Sequence, residues 1–153
     1  MKAKTILTVS LCLAVAAVCL AQSTHTGTWK LNESKSKLAA GVVKNHTVVY
    51  EAAGDNTKVT VDGTDSQGNA VHSEWTGKFD GQDYPVTGDP SADARSYVTV
   101  DANTMTFANK KGGKIIITGR IVASADGKSR TVTTSGTNAK GKKFESVAAY
   151  DKQ

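Results

Sequence analysis

Lys58-Val59-Thr60-Val61-Asp62, a turn at Gln67-Gly68-Asn69, then Val71-His72-Ser73-Glu74-Trp75-Thr76-Gly77-Lys78-Phe79: this stretch decides the fold class. Val59 and Val61 fall on one face of their segment. In the second segment Val71, Trp75 and Phe79 share a face, while His72, Glu74 and Lys78 share the other. Alternation with a period of two is the signature of a half-buried strand, because successive Cβ atoms of an extended chain point to opposite faces. A glycine in a polar turn between two such runs supplies the backbone freedom that a tight hairpin needs.

Working outward, the same pattern recurs at Gly27–Leu31, His46–Glu51, Ser96–Asp101, Thr104–Asn109, Lys114–Ala123, Arg130–Ser135 and Phe144–Tyr150. The breaks between them are Gly54-Asp55-Asn56, Asp101-Ala102-Asn103, Gly112-Gly113, Ala125-Asp126-Gly127 and Asn138–Lys142. Short strands joined by hairpin-length links predict an all-β chain, a single antiparallel up-and-down meander. Closure into a barrel of about 8–10 strands would remove its exposed edges. Two segments depart from the pattern. Asn32–Leu38 reads as a helix of about two turns capped by Asn32 or Ser34. Asp80–Ala94 holds both prolines and lacks clear alternation, so it reads as a structured loop or lid.

The first residues have a different character. Met1-Lys2-Ala3-Lys4 is basic, Thr5–Ala21 is uncharged and mostly apolar, and Cys19 and Ala21 are small. This is the form of a cleavable secretory signal peptide, residues 1–21, with the cut between Ala21 and Gln22. Residues 22–153 then form one exported domain, periplasmic or extracellular. Both cysteines, Cys12 and Cys19, lie in the leader, so the domain has neither disulfide nor thiolate metal site. The formal net charge is +5, and the densest basic groups, Lys110-Lys111 with Lys114 and Lys140 with Lys142-Lys143, fall at turn tips. They suit solubility and edge protection, or weak contact with an anionic cell envelope. No aromatic series lies between them to suggest specific nucleic-acid binding.

The chain has 14 glycines but only 3 Phe, 2 Trp and 2 Met. So few bulky side chains leave two outcomes open for a closed barrel: an internal cavity, or a flattened barrel in which small side chains meet directly.

Thr26-Gly27-Thr28-Trp29-Lys30-Leu31 resembles the Gly-x-Trp signature of the calycins, the superfamily of lipocalins, fatty-acid-binding proteins and avidins. The resemblance implies that Trp29 closes the barrel base against a basic residue from a late strand, with Arg130 the best-placed partner. Gly27, Trp29 and Arg130 are thus the structural signature. Segments Gly27–Leu38 and Lys78–Pro90 also resemble small exported bacterial proteins, which brings no activity with it. The departures are specific. Tyr150 matches the Tyr of a C-terminal Arg-x-Tyr, but Ala148 stands in place of its Arg, and the lipocalin Thr-Asp-Tyr turn is absent.

No catalytic or metal site is expected. The three histidines, His25, His46 and His72, have no zinc spacing, Ser135-Gly136 has no nucleophile frame, and the Asp residues of the 80–94 segment serve turns. No cofactor is implied. The expected function is an exported, non-enzymatic binder of a small apolar or amphipathic molecule inside a calycin-like barrel. Trp75 and Phe79 would form cavity wall, with Arg120 and Tyr150 as polar contacts. Arg120 shares a face with Ile116, Thr118 and Val122; if Ile115, Ile117, Gly119 and Ile121 form the interior, it points to solvent. The alternative is a structural or envelope-interaction module without a ligand cavity.

Overall fold

The computed structural model describes residues 23–138 and 140–153. The leader reading of residues 1–21 and its two cysteines lies outside the described residues. The described chain holds ten strands: β1 (Gly27–Lys37), β2 (Lys44–Ala53), β3 (Asn56–Thr64), β4 (Ala70–Gly77), β5 (Tyr84–Thr87), β6 (Ala94–Asp101), β7 (Thr104–Lys111), β8 (Lys114–Ala123), β9 (Ser129–Thr137) and β10 (Lys143–Lys152). Each pairs antiparallel with its sequence neighbours, and β1 pairs with β10 to close the barrel. This is the expected all-β meander, with every edge consumed by closure.

Two segments correct the sequence reading. Asn32–Leu38 is not a helix: Asn32 to Lys37 belong to β1. Asn32 behaves at first as a helix cap would, its Oδ1 accepting the Lys35 amide at 3.2 Å. The chain then returns to the sheet. Asn32 sits opposite Ala149 and Lys37 opposite Val147, so the residues between bulge outward. Ser36 stitches the bulge, donating to the Asn32 carbonyl at 2.7 Å and accepting the Ala149 amide at 2.9 Å. Seven residues nucleate a helix poorly, and the edge of β10 offers ladder bonds that a helix would leave unmade.

The second correction is the tenth strand. β5 lies within the expected lid and is four residues long. Glu74 and Trp75 of β4 face Thr87 and Val86, while Tyr84 and Pro85 face Arg95 and Ala94 of β6. Four residues show too little alternation to register as a pattern, but without them the barrel would open between β4 and β6.

In a meander, successive loops alternate between the two ends. One end carries the β2–β3, β4–β5, β6–β7 and β8–β9 links with residues 23–26. The other carries the β1–β2, β3–β4, β5–β6, β7–β8 and β9–β10 links. The first end is filled. Trp29 is fully buried and its indole Nε1 donates to the His25 carbonyl at 2.8 Å. Gly27 beside it has φ 118°, a backbone conformation that favours glycine. Nearby, Trp75 stacks on Phe79 with centroids 6.0 Å apart and meets Tyr84 and Tyr97 edge-on at 5.7 and 4.8 Å.

Candidate functional site

The other end of the barrel is hollow. A cavity of about 330 Å³ opens among Gly41–Val43, Asp65-Ser66, Asp89–Ser91 and Thr137-Asn138, all in or beside the links of that end. Its walls are apolar where Leu31, Val48, Val61, Phe107, Ile121 and Val132 alternate inward. A bulge between Asn109 and Lys110 against β8 brings both Ile116 and Ile117 to the lining, two neighbours that strict alternation would separate.

Beside the β5–β6 link the wall turns polar. Arg95 is 8% exposed, its Nε donates to Asn109 Oδ1 at 2.6 Å, and one terminal nitrogen donates to Asp89 Oδ2 at 3.2 Å. Asp89 is itself fastened by the Ser91 amide and hydroxyl, at 2.9 and 2.7 Å. Tyr50 and Tyr97 complete the cluster, their rings edge to face at 6.4 Å. Burial, reinforced by the neighbouring Tyr97, pushes the Tyr50 phenol well above its usual range, which keeps it a neutral donor.

The floor is aromatic and cationic. The Arg130 guanidinium lies 4.6 Å from the Trp29 ring, 4.9 Å from Tyr50 and 5.1 Å from Tyr150. Its Nε and one terminal nitrogen are buried without a hydrogen-bond partner, so ring faces rather than acceptors surround the charge. Tyr150 donates to the Asn45 carbonyl at 3.0 Å, and burial raises its phenol to about 12 against the opposing pull of Arg130. Beneath the floor His25 is buried with neither ring nitrogen partnered. Burial first, then Arg130 and Lys152, lower its pKa to about 4.

The residues singled out from sequence are therefore distributed over three places. Gly27, Trp29 and Arg130 come together at the floor. Tyr150 lines the cavity. Trp75 and Phe79 do not; they stand behind Tyr97, in the filled end. Arg120 is exposed on the outer wall beside Thr106, Thr118 and Thr133, because β8 turns Ile121 inward and the residues flanking it outward. Sequence reasoning missed Arg95, Asn109 and Asp89. The sequence carries only half of the signal: alternation along β6 sets Arg95 and Tyr97 apart from Val98 and Val100, and it takes the structure, where those valines are 44% and 51% exposed, to show which face is inside. A strand that buries an arginine and exposes its valines breaks the usual rule where a polar interior is being built.

Among the described residues no group of three or more His, Cys, Asp or Glu side chains is placed to hold a metal ion. The fold and cavity together define a closed antiparallel barrel with a half-empty, partly polar interior. No family model matches the chain, and no curated protein matches it. Among solved structures it is similar to a redesigned beta barrel, mFAP1, bound to DFHBI, with 12% sequence identity, a TM-score of 0.46, and coverage of 85% of this chain and 95% of that chain.

Proposed function

We propose that this chain is an exported, calycin-like carrier that holds a small amphipathic molecule in the hollow half of its barrel without transforming it. The observation that carries the reading is the pairing of an apolar-walled cavity with buried Arg95, Tyr50, Tyr97 and Asn109 on its lining. Core packing alone has no need of such groups, because burying polar side chains costs stability unless they are well partnered. The exposed lysines at the tips beside the mouth, Lys111, Lys114, Lys140, Lys142 and Lys143, favour weak contact between this end and an anionic envelope.

The test is fluorescence titration with phenylnaphthylamine, a neutral apolar probe, on the unmutated chain and on Ala148→Trp. Ala148 lines the cavity on β10, and an indole there would occupy the space. Saturable binding that falls at least about tenfold in a variant melting like the parent supports the carrier. No saturable binding to the unmutated chain contradicts it.

A further inference from the structure

We infer that Arg95 is the anion site of the cavity and that Asp89 is its built-in occupant, a stand-in that the anionic group of a ligand displaces as the β5–β6 loop opens. The inference rests on the carrier reading and narrows its ligand to an amphiphile with a single negatively charged head.

The two partners of the ion pair are held very differently. Arg95 sits within β6, paired with both β5 and β7, and Asn109 fixes its Nε from the facing strand. It cannot leave the interior without breaking the barrel wall. Asp89 belongs to a loop pinned at its two ends. On one side Val86 donates to the Asp93 carbonyl at 3.1 Å; on the other the Asp93 amide donates to the Lys110 carbonyl at 2.9 Å, and its carboxylate accepts the Gly112 amide at 2.9 Å. Ala92 is 2% exposed and anchors the loop's end in the core. Between these pins lie Gly88, Asp89, Pro90 and Ser91. Gly88 has φ 75°, and a Cβ there would strike the His72 carbonyl at 2.1 Å, so the turn entering the loop tolerates only glycine. Gly88 and Pro90 are exposed, so an outward swing carries the Asp89 carboxylate into water rather than into another buried position.

The charges lining the cavity favour that exchange. Arg95 and Arg130 are cationic and buried, and Asp89 is the one carboxylate within ion-pair distance of either among the described residues. Asp65 also lines the mouth, but its carboxylate is occupied by the Gln67 and Asn69 amides and the Asn69 side chain. Losing Asp89 without replacement would strand a buried guanidinium, which is strongly unfavourable. An entering anion removes that penalty by taking the vacated hydrogen bond, while its apolar body covers Val61, Phe107 and Ile121. A neutral ligand offers no such replacement and leaves the pair intact. The lysine tips at the mouth raise the local concentration of anions.

The test compares two probes with the same aromatic body: anilinonaphthalene sulfonate, which carries one negative charge, and neutral phenylnaphthylamine. The readout is the ratio of their affinities. Asp89→Asn removes the resident competitor and should raise the sulfonate preference about tenfold; Arg95→Gln should reverse it. In the unmutated chain, which needs no variant to fold, saturating sulfonate probe should shift the Asp89 carboxylate carbon signal as its bond to Arg95 is lost, and the neutral probe should not. A preference unchanged within about twofold in Asp89→Asn, or an Asp89 signal unmoved by the sulfonate, overturns the inference while leaving the carrier reading standing. Failure of both probes to bind the unmutated chain overturns both.

Discussion

The two ends of this barrel are built from the same strands with the same alternation, yet one is filled and the other is not. At the filled end, large rings meet: Trp29 over Arg130, and Trp75 against Phe79, Tyr84 and Tyr97. At the hollow end Ser73, Ala148, Ser146 and Thr134 stand among the larger inward side chains, and the gaps they leave are not closed across the lumen. A closed barrel of ten strands has more interior than these side chains can occupy. Both tryptophans, with Phe79 and Tyr84, stand at the filled end and secure the fold there, while Tyr50, Tyr97, Phe107, Phe144 and Tyr150 line the hollow without filling it. On the proposed carrier reading, stability and binding fall to different halves.

Substitution should separate the halves most sharply at the tryptophans. Trp29→Ala and Trp75→Ala, both at the filled end and almost completely buried, should each cost about 3–5 kcal/mol in denaturant titration. A loss below about 1 kcal/mol at either would erase the distinction between the ends. The next effect is a pH dependence confined to the filled end. His25 in the folded chain has its pKa lowered from 6.5 to about 4. The unfolded chain therefore binds the proton first as pH falls. Stability is full above about 6.5 and declines down to about 4, by on the order of 1–3 kcal/mol. Melts of the unmutated chain and His25→Gln across that range should converge in slope only outside it; parallel curves throughout would mean that His25 is solvated.

The hollow end should be more forgiving. Ala148→Leu adds volume where the cavity has room, and should change stability by less than about 1 kcal/mol in either direction. A loss as large as that of a tryptophan would mean that the space is already packed. The smallest effect lies outside both ends, on the outer wall of β3 and β4. His72 Nδ1 is 2.6 Å from Asp62, and that bond raises its pKa. Its contribution is present below the ordinary histidine range and fades as pH rises through the raised value, opposite in sign to His25. Because the pair is solvent-exposed, added salt should screen it, and His72→Gln should leave the melt nearly unmoved.

The filled end was far more legible in the sequence than the hollow one. Gly27-x-Trp29 names its own position, and strong alternation around Trp75 places that ring inside. A buried Trp leaves a mark on the sequence because nothing else of its size occupies the site. A cavity is written in absences. Ala148 and Ser146 read alike whether they line a void or a sheet contact. Arg95 was hidden for a related reason: in a short strand beside a proline-containing segment, an arginine followed by serine reads as surface, and only closure of the barrel by β5 puts it inside. Asn32 carried a genuine local preference for capping, realised in its bond to Lys35, which closure against β10 then overrode.

The central claim, that binding belongs to one half of the barrel and stability to the other, is most directly tested by chemical-shift mapping of the neutral probe. Saturating phenylnaphthylamine should move the methyl signals of Val61, Ile121, Val132 and Ala148, which line the hollow, and leave the indole N–H signals of Trp29 and Trp75 in place. Shifts centred on the two indoles, with the hollow's methyls unmoved, would contradict the account.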